Sequence, residues 1–227
     1  MHWIEDEPAH GSVVSHRVQD LSFRIRARTL PLDHASVLSE AILEQLPWLT
    51  DEPGAGIHLI HYPQSGSGWT RQEDSPEEIF FVSGRARLKL RLPITRLPDA
   101  SQLSGRTLDL GGHRLTVGRS SAFPLRRSAT LFARRVVFDP DETEDIFVDR
   151  IAEVLGRAGI TARKILCGQG KRLHRDTGPL SVRSVLLADL GAEESIRLQE
   201  MGLGPGRLYG CGLFIPHKSI ASTGILD

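Results

Sequence analysis

The chain has 227 residues and no net charge, with 28 basic side chains against 28 acidic, 40% hydrophobic residues and 25% charged ones. That composition fits an ordinary soluble globular protein with room for one large domain or two small ones, and no apolar run approaches the roughly 18 residues that cross a bilayer. A zero net charge argues against a nucleic-acid binder only until its distribution is read. Residues 1–80 hold 5 Lys/Arg and 13 Asp/Glu, whereas residues 81–138 hold 12 and 2, a cationic middle suited to phosphate contact.

Taken in chain order, the start MHWIEDEPAH has neither a basic region nor an apolar run, so a cytoplasmic protein without a signal peptide is expected. His16–Arg28 alternates polar and apolar residues as a half-buried strand does. Asp33 is the expected N-cap of a helix over His34–Leu46, with Val37, Leu38, Ala41 and Ile42 at helical spacing. Gly56–Tyr62 reads as a strand, Gln64–Gly68 as a loop, and Ile79–Val82 with Ala86–Leu92 as a hairpin. A second hairpin turns at Gly111-Gly112, and Ser128–Phe138 is a further strand. The polar break Asp139–Asp145 marks a domain boundary, giving halves 1–138 and 139–227. Beyond it, Thr143–Arg157 is an amphipathic helix with Ile146, Phe147, Ile151 and Leu155 on one side. Residues 161–174 and 179–188 form an antiparallel pair, Gly191–Met201 a helix, and Tyr209–Ile215 a closing strand. The order of elements predicts an α+β fold of two tandem ferredoxin-like halves. Cys167 and Cys211 lie far apart and match no metal or disulfide pattern.

Between the last helix and strand lie five glycines in eleven positions, Gly202 to Gly212. Such a segment reaches backbone angles closed to other residues, and its N–H groups can cradle phosphate. It is no Walker A loop, since no Gly-Lys-Ser/Thr closes it. It is no dinucleotide fingerprint either, since it runs from helix to strand.

With its surroundings, RLQEMGLGPGRLYGCGLFIPHK, this segment resembles the C-terminus of the pre-crRNA processing endoribonucleases. These belong to the repeat-associated mysterious protein (RAMP) superfamily of CRISPR systems, and the short MYXAN-subtype members are the most similar. LPLDHASVLSEAI, LSGRTLDLGGHRLTVG and SATLFARRVVF resemble other stretches of that subtype, so the likeness covers most of the chain. The resemblance implies metal-independent, cofactor-free cleavage of a CRISPR repeat RNA, in stem-loop form. A ribose 2′-OH attacks the adjacent phosphorus, leaving a 2′,3′-cyclic or 3′ phosphate. Effector-complex subunits are further implied partners.

That reaction needs a proton acceptor, a donor and a cation at phosphorus. Of nine histidines, His34 lies at the start of the first helix, where the family carries its catalytic histidine. His58 and His61 on one short strand are expected to face opposite ways, a poor arrangement for a metal. Lys218, Arg207, Tyr209 and Arg28 are open candidates for the second catalytic group. Expected RNA contacts are Arg126, Arg127 and Arg134, then Arg163, Lys164, Lys171, Arg172 and Arg175 of the basic hairpin, then Gly202, Gly204, Gly206 and Arg207. Arg134 and Arg135 are adjacent, so on a regular strand only one of them can face RNA. Two other readings stay open: a non-catalytic RAMP subunit that holds RNA, and an unrelated tandem ferredoxin-like enzyme for small ligands.

Overall fold

The computed structural model of the chain describes residues 14–61 and 78–217; the expected loop Gln64–Gly68 and Lys218 lie outside them. Strand β1 (Val14–Arg26) buries Leu21, Phe23 and Ile25 and exposes Arg24 and Arg26, the alternation its sequence carries. There follow β2 (Thr29–Pro31), α1 (Ala35–Gln45), β3 (Gly56–His58), β4 (Ile79–Phe81), β5 (Arg87–Pro93) and the single turn α2 (Leu97–Ala100). The hairpin β6 (Thr107–Leu110) and β7 (His113–Arg126) turns through Gly111 and Gly112, both at positive φ as a tight two-residue turn requires. The first sheet has the order β3-β5-β1-β7-β6 and is antiparallel throughout.

The expected hairpin between residues 79–82 and 86–92 does not form. β5 buries Leu88, Leu90 and Leu92, which places it inside the sheet between β1 and β3. β4 buries only Phe80, leaves Ile79 and Phe81 exposed, and pairs with β2 as a separate ribbon. Helix α1 is entered at His34 rather than Asp33, because the Asp33 carboxylate is turned away to His174, Oδ2 lying 2.9 Å from Nδ1.

The second sheet is built from β8 (Leu131–Val137), β9 (Lys164–Cys167), β10 (Lys171–Leu173), β11 (Leu180–Ala188) and β12 (Ile215–Pro216). Its order is β10-β11-β8-β12, with β9 on the same edge of β11 as β10. Two helices cover it, α3 (Glu144–Arg157) and α4 (Ala192–Met201). Thr143 caps α3 by accepting the Ile146 N–H. Phe147, Ile151 and Leu155 recur every four residues and are buried, whereas Ile146 sits off that stripe and is exposed. The expected closing strand shrinks to Ile215–Pro216, because Gly206, Gly210 and Gly212 take left-handed angles that curl the chain into a turn at Arg207–Tyr209. Strand β8 pairs with β11 and β12, so the second sheet begins before residue 139.

Both sheets follow one plan. The leading strand, β1 or β8, is followed by a helix and lies between two later strands, β5 and β7 or β11 and β12. Arg91 joins the two. It is wholly buried, grips Asp20 through Nε (2.8 Å) and Nη2 (3.1 Å), and donates from Nη1 to the Gln199 and Phe214 carbonyls. Among the described residues no helix is long and apolar enough to cross a membrane.

Candidate active site

His34 is set by three backbone groups. The Ile60 N–H can only donate, and it reaches Nε2 at 3.0 Å, so Nε2 must carry the lone pair. The proton therefore sits on Nδ1 and is donated to the Pro31 carbonyl at 3.0 Å, with Leu32 O at 3.2 Å. The side chain is 3% exposed, and Phe80 lies beside the ring at 5.7 Å between centroids. Burial, and then the Arg135 guanidinium, push its pKa down to about 4, so the ring is neutral at pH 7.

Three adjoining hollows share Leu59 and His61 and together form a groove between the sheets. The largest, about 440 Å³, runs from His61 past Lys89 to Arg85 and Arg87. Another, about 250 Å³, is walled by His34 and His61 on one side and by Arg134, Arg135, Gln169, Lys171, Arg183 and Ser184 on the other. Strand β3 ends at His58, so strand alternation does not extend to His61, although both histidines border the groove. His58 turns inward, with Nε2 3.4 Å from Asp20 Oδ1, whereas His61 is exposed.

Arg134 and Arg135 also depart from expectation. β11 pairs Val185 with Ala133 and Arg183 with Val136, so two residues of β8 stand opposite the single Ser184. That is a β-bulge, and it turns both neighbouring arginines to the groove where a regular strand would present one. The Gly212 N–H satisfies the Arg135 carbonyl at 2.7 Å. Arg135 Nη1 is buried in the groove wall with no hydrogen-bond partner among the described residues, a donor placed where an anion could take it.

The glycine-rich segment serves the framework. Arg207 donates from Nε to Ala55 O (3.1 Å), from Nη1 to Met201 O (2.7 Å) and from Nη2 to Gly54 O, so its fork is spent on backbone instead of RNA. Gly202 is buried against that fork, where a Cβ would lie 2.1 Å from Arg207 Nη1; it is closed to RNA. Gly210 packs on β3 so closely that a Cβ would come within 2.8 Å of Leu59. Gly206 is half-buried, and Gly204 is exposed with open space around it. Tyr209 packs in a small apolar cluster and lies under the Arg175 guanidinium, outside the groove lining.

Of the remaining expected contacts, Lys171 lines the groove. Arg126 and Arg127 are exposed at the end of β7 beside α4, where the Arg126 carbonyl accepts from Gln199. Arg163 and Lys164 lie on the outer edge at β9, Lys164 paired with Asp189 at 3.4 Å. Arg172 is exposed on β10, and the Arg175 Nε donates to Gly178 O. Sequence reasoning missed His61, Gln169, Arg183 and Ser184 as groove residues, since strand alternation alone does not signal them. Among the described residues no three His, Cys, Asp or Glu side chains gather as a metal site would.

Residues 19–219 match the family model described as Cas6 Crispr. A CRISPR-associated endonuclease Cas6 from Myxococcus xanthus (strain DK1622) is 33% identical over 198 residues, covering 87% of this chain and 80% of that protein. Among solved structures, the product of a Cas6-related gene from Pyrococcus furiosus superposes with a TM-score of 0.59 at 15% identity, covering 87% of this chain and 97% of that one. A structure titled as a RAMP protein binding different RNA substrates does so with a TM-score of 0.59 at 16% identity, covering 88% and 100%. At such identities the two structures speak to the fold, which is the mixed α/β fold seen here.

Proposed function

The chain belongs to the Cas6 family, and from that membership and the groove we propose that it is an endoribonuclease that cuts CRISPR repeat RNA into guide RNAs. The observation that carries the reading is the meeting of two histidines with Arg134, Arg135 and Lys171 in one groove between the sheets. Attack by a 2′-OH needs one group to hold or take its proton and cations to meet the charge that grows on the phosphate oxygens. His34 and His61 are the candidates for the first task. Arg135, whose Nη1 has no hydrogen-bond partner among the described residues, and Arg134 take the place that Tyr209, Arg207 and Lys218 held on sequence grounds. No metal is needed on this reading, and the stem of the repeat lies along Lys171, Arg172 and Arg175 of the β10 edge.

The two sheets are, on the same proposal, tandem ferredoxin-like halves. The shared strand plan supports this, with the division drawn near residues 127–130 so that β8 stays with its own sheet. Subunits of a CRISPR effector complex are further partners that family membership suggests, with the cytoplasm as the place of action.

One observation favours a second reading, a subunit that holds RNA without cutting it: both ring nitrogens of His34 are occupied by backbone. Incubating the purified protein with repeat RNA in EDTA separates the two. Cleavage to a 2′,3′-cyclic or 3′ phosphate supports the enzyme, and binding without any cut supports the holder.

A further inference from the structure

We infer that Asp33 and His174 are a positioning pair: their contact between the two sheets fixes the start of α1, and with it His34, relative to the cationic strand edge that grips the repeat RNA. The inference rests on the endoribonuclease reading above, with His34 as a proton-handling residue, and adds to that site a device for placing the RNA.

One oxygen makes the contact. Asp33 Oδ2 lies 2.9 Å from His174 Nδ1 and 3.3 Å from the His174 backbone nitrogen. A carboxylate oxygen only accepts, so His174 carries a proton on Nδ1 and donates twice, from ring and backbone. The Asp33 side chain is 6% exposed and that of His174 51%. Local structure does not call for this arrangement. An aspartate just before a helix is well placed to cap it, yet α1 has no side-chain cap and no acidic residue in its first turn. A pair half open to solvent also adds little to stability. What the contact does is tie together two parts of the chain 141 positions apart. A second tie lies beside it. Ala35 belongs to the same buried cluster as Leu173, the last residue of β10. The residues on both sides of His34 are thus held at the end of β10, while its ring is held from the first half by Pro31 and Ile60.

The other end of the tie is the RNA grip. Lys171, Arg172 and Arg175 all lie within three positions of His174. Lys171 lines the same hollow as His34, and Arg172 is exposed on the strand edge. These cations set where the phosphate backbone rests, and His34 must meet a ribose of that same strand. Attack by a 2′-OH needs the reacting atoms in line, and a displacement of about 1 Å costs on the order of 10²-fold in rate. The Asp33–His174 contact fixes that spacing, because it joins the element that holds the RNA to the residue before His34. Burial is the main influence on the His34 ring and the Asp33 charge a small opposing one, so an amide at position 33 separates placement from charge.

The test measures single-turnover cleavage of repeat RNA at saturating protein, RNA affinity and thermal melting. It compares wild type with Asp33→Asn, Asp33→Ala, His174→Ala and the double variant Asp33→Ala/His174→Ala. Asp33→Ala and His174→Ala should each cut about 10–100-fold more slowly at saturation, with affinity within a few-fold of wild type and melting little changed. The double variant should be no slower than the slower single one, because either change breaks the same contact. Asp33→Asn, whose amide oxygen still accepts both His174 donors, should keep most of the wild-type rate. Losses that multiply in the double variant would overturn the pairing, and an Asp33→Asn as slow as Asp33→Ala would assign the effect to charge. Weakened binding by His174→Ala at an unchanged saturating rate would make His174 a plain RNA contact and overturn the proposal too. If Asp33→Ala melts far below wild type, the half-exposed His174→Ala decides alone, and a wild-type rate there overturns the proposal. A wild-type protein that binds repeat RNA and never cuts it, or a His34→Ala that cuts normally, would instead sink the reading of the site on which the pair depends.

Discussion

Single residues decide the chemistry, and the burial of His34 has a consequence that can be measured without RNA. The folded ring titrates near 4, while in the unfolded chain it titrates near its ordinary 6.5. Between those values the unfolded chain binds a proton that the folded chain refuses. The contribution is thus complete above about pH 6.5, falls as the pH drops towards 4 and is flat below that. The total is on the order of 3 kcal/mol. Denaturant unfolding from pH 7 to pH 4 should show that loss in wild type and a smaller one in His34→Gln, and equal slopes would contradict it. The sequence singled out His34 by its place before a helix. It could not reveal the sealing of the ring, which depends on Ile60, 26 residues away. His61 was legible only as a strand residue, because nothing local says that β3 stops at His58.

Elements explain why the glycine-rich segment is built as it is. Its glycines are needed where other backbone comes close. At Gly212, with φ +66, a Cβ would sit 2.2 Å from the Leu203 carbonyl oxygen, and the same residue's N–H supports the bulge at Arg135. Gly212→Ala is therefore expected to destabilise the protein by about 3 kcal/mol or more through a clash added to left-handed strain. Gly204, with φ +73 and open space around it, should cost only about 1–2 kcal/mol on replacement by Ala. Chemical denaturation of the two variants checks the contrast, and similar losses would mean that the segment is not shaped by close packing. The segment's existence and place were readable from composition, yet its curled path and its grip on β3 were not. The bulge in β8 was hidden for a related reason. Period-two alternation assumes an unbroken ladder, and the extra residue at Arg134–Arg135 is set by β11, about fifty positions downstream.

The whole molecule is two sheets clasped about a cationic groove, and the clasp is polar. Arg91 bonds Asp20 in its own sheet and the Gln199 and Phe214 carbonyls in the other half. Arg91→Met should cost about 3 kcal/mol, because the half-buried Asp20 carboxylate would lose its guanidinium partner and keep only His58 beside it, and adding Asp20→Asn should recover part of it; thermal melts of the single and double variants test this. In the groove, Arg134→Ala should lower the slope of log affinity against log salt by about one phosphate contact, measured by RNA titration at several salt concentrations. The order of strands and helices was visible in the sequence because each leading strand and following helix carries its own period. The groove was not, since it is assembled from both sheets. Its function is tested most directly by a repeat RNA with a single 2′-deoxy substitution beside the cut phosphate, offered in EDTA next to the all-ribose strand. The all-ribose strand should be cut, and the deoxy strand should bind with unchanged affinity and stay whole. Cleavage of the deoxy strand, or dependence of the reaction on a divalent cation, would contradict the account.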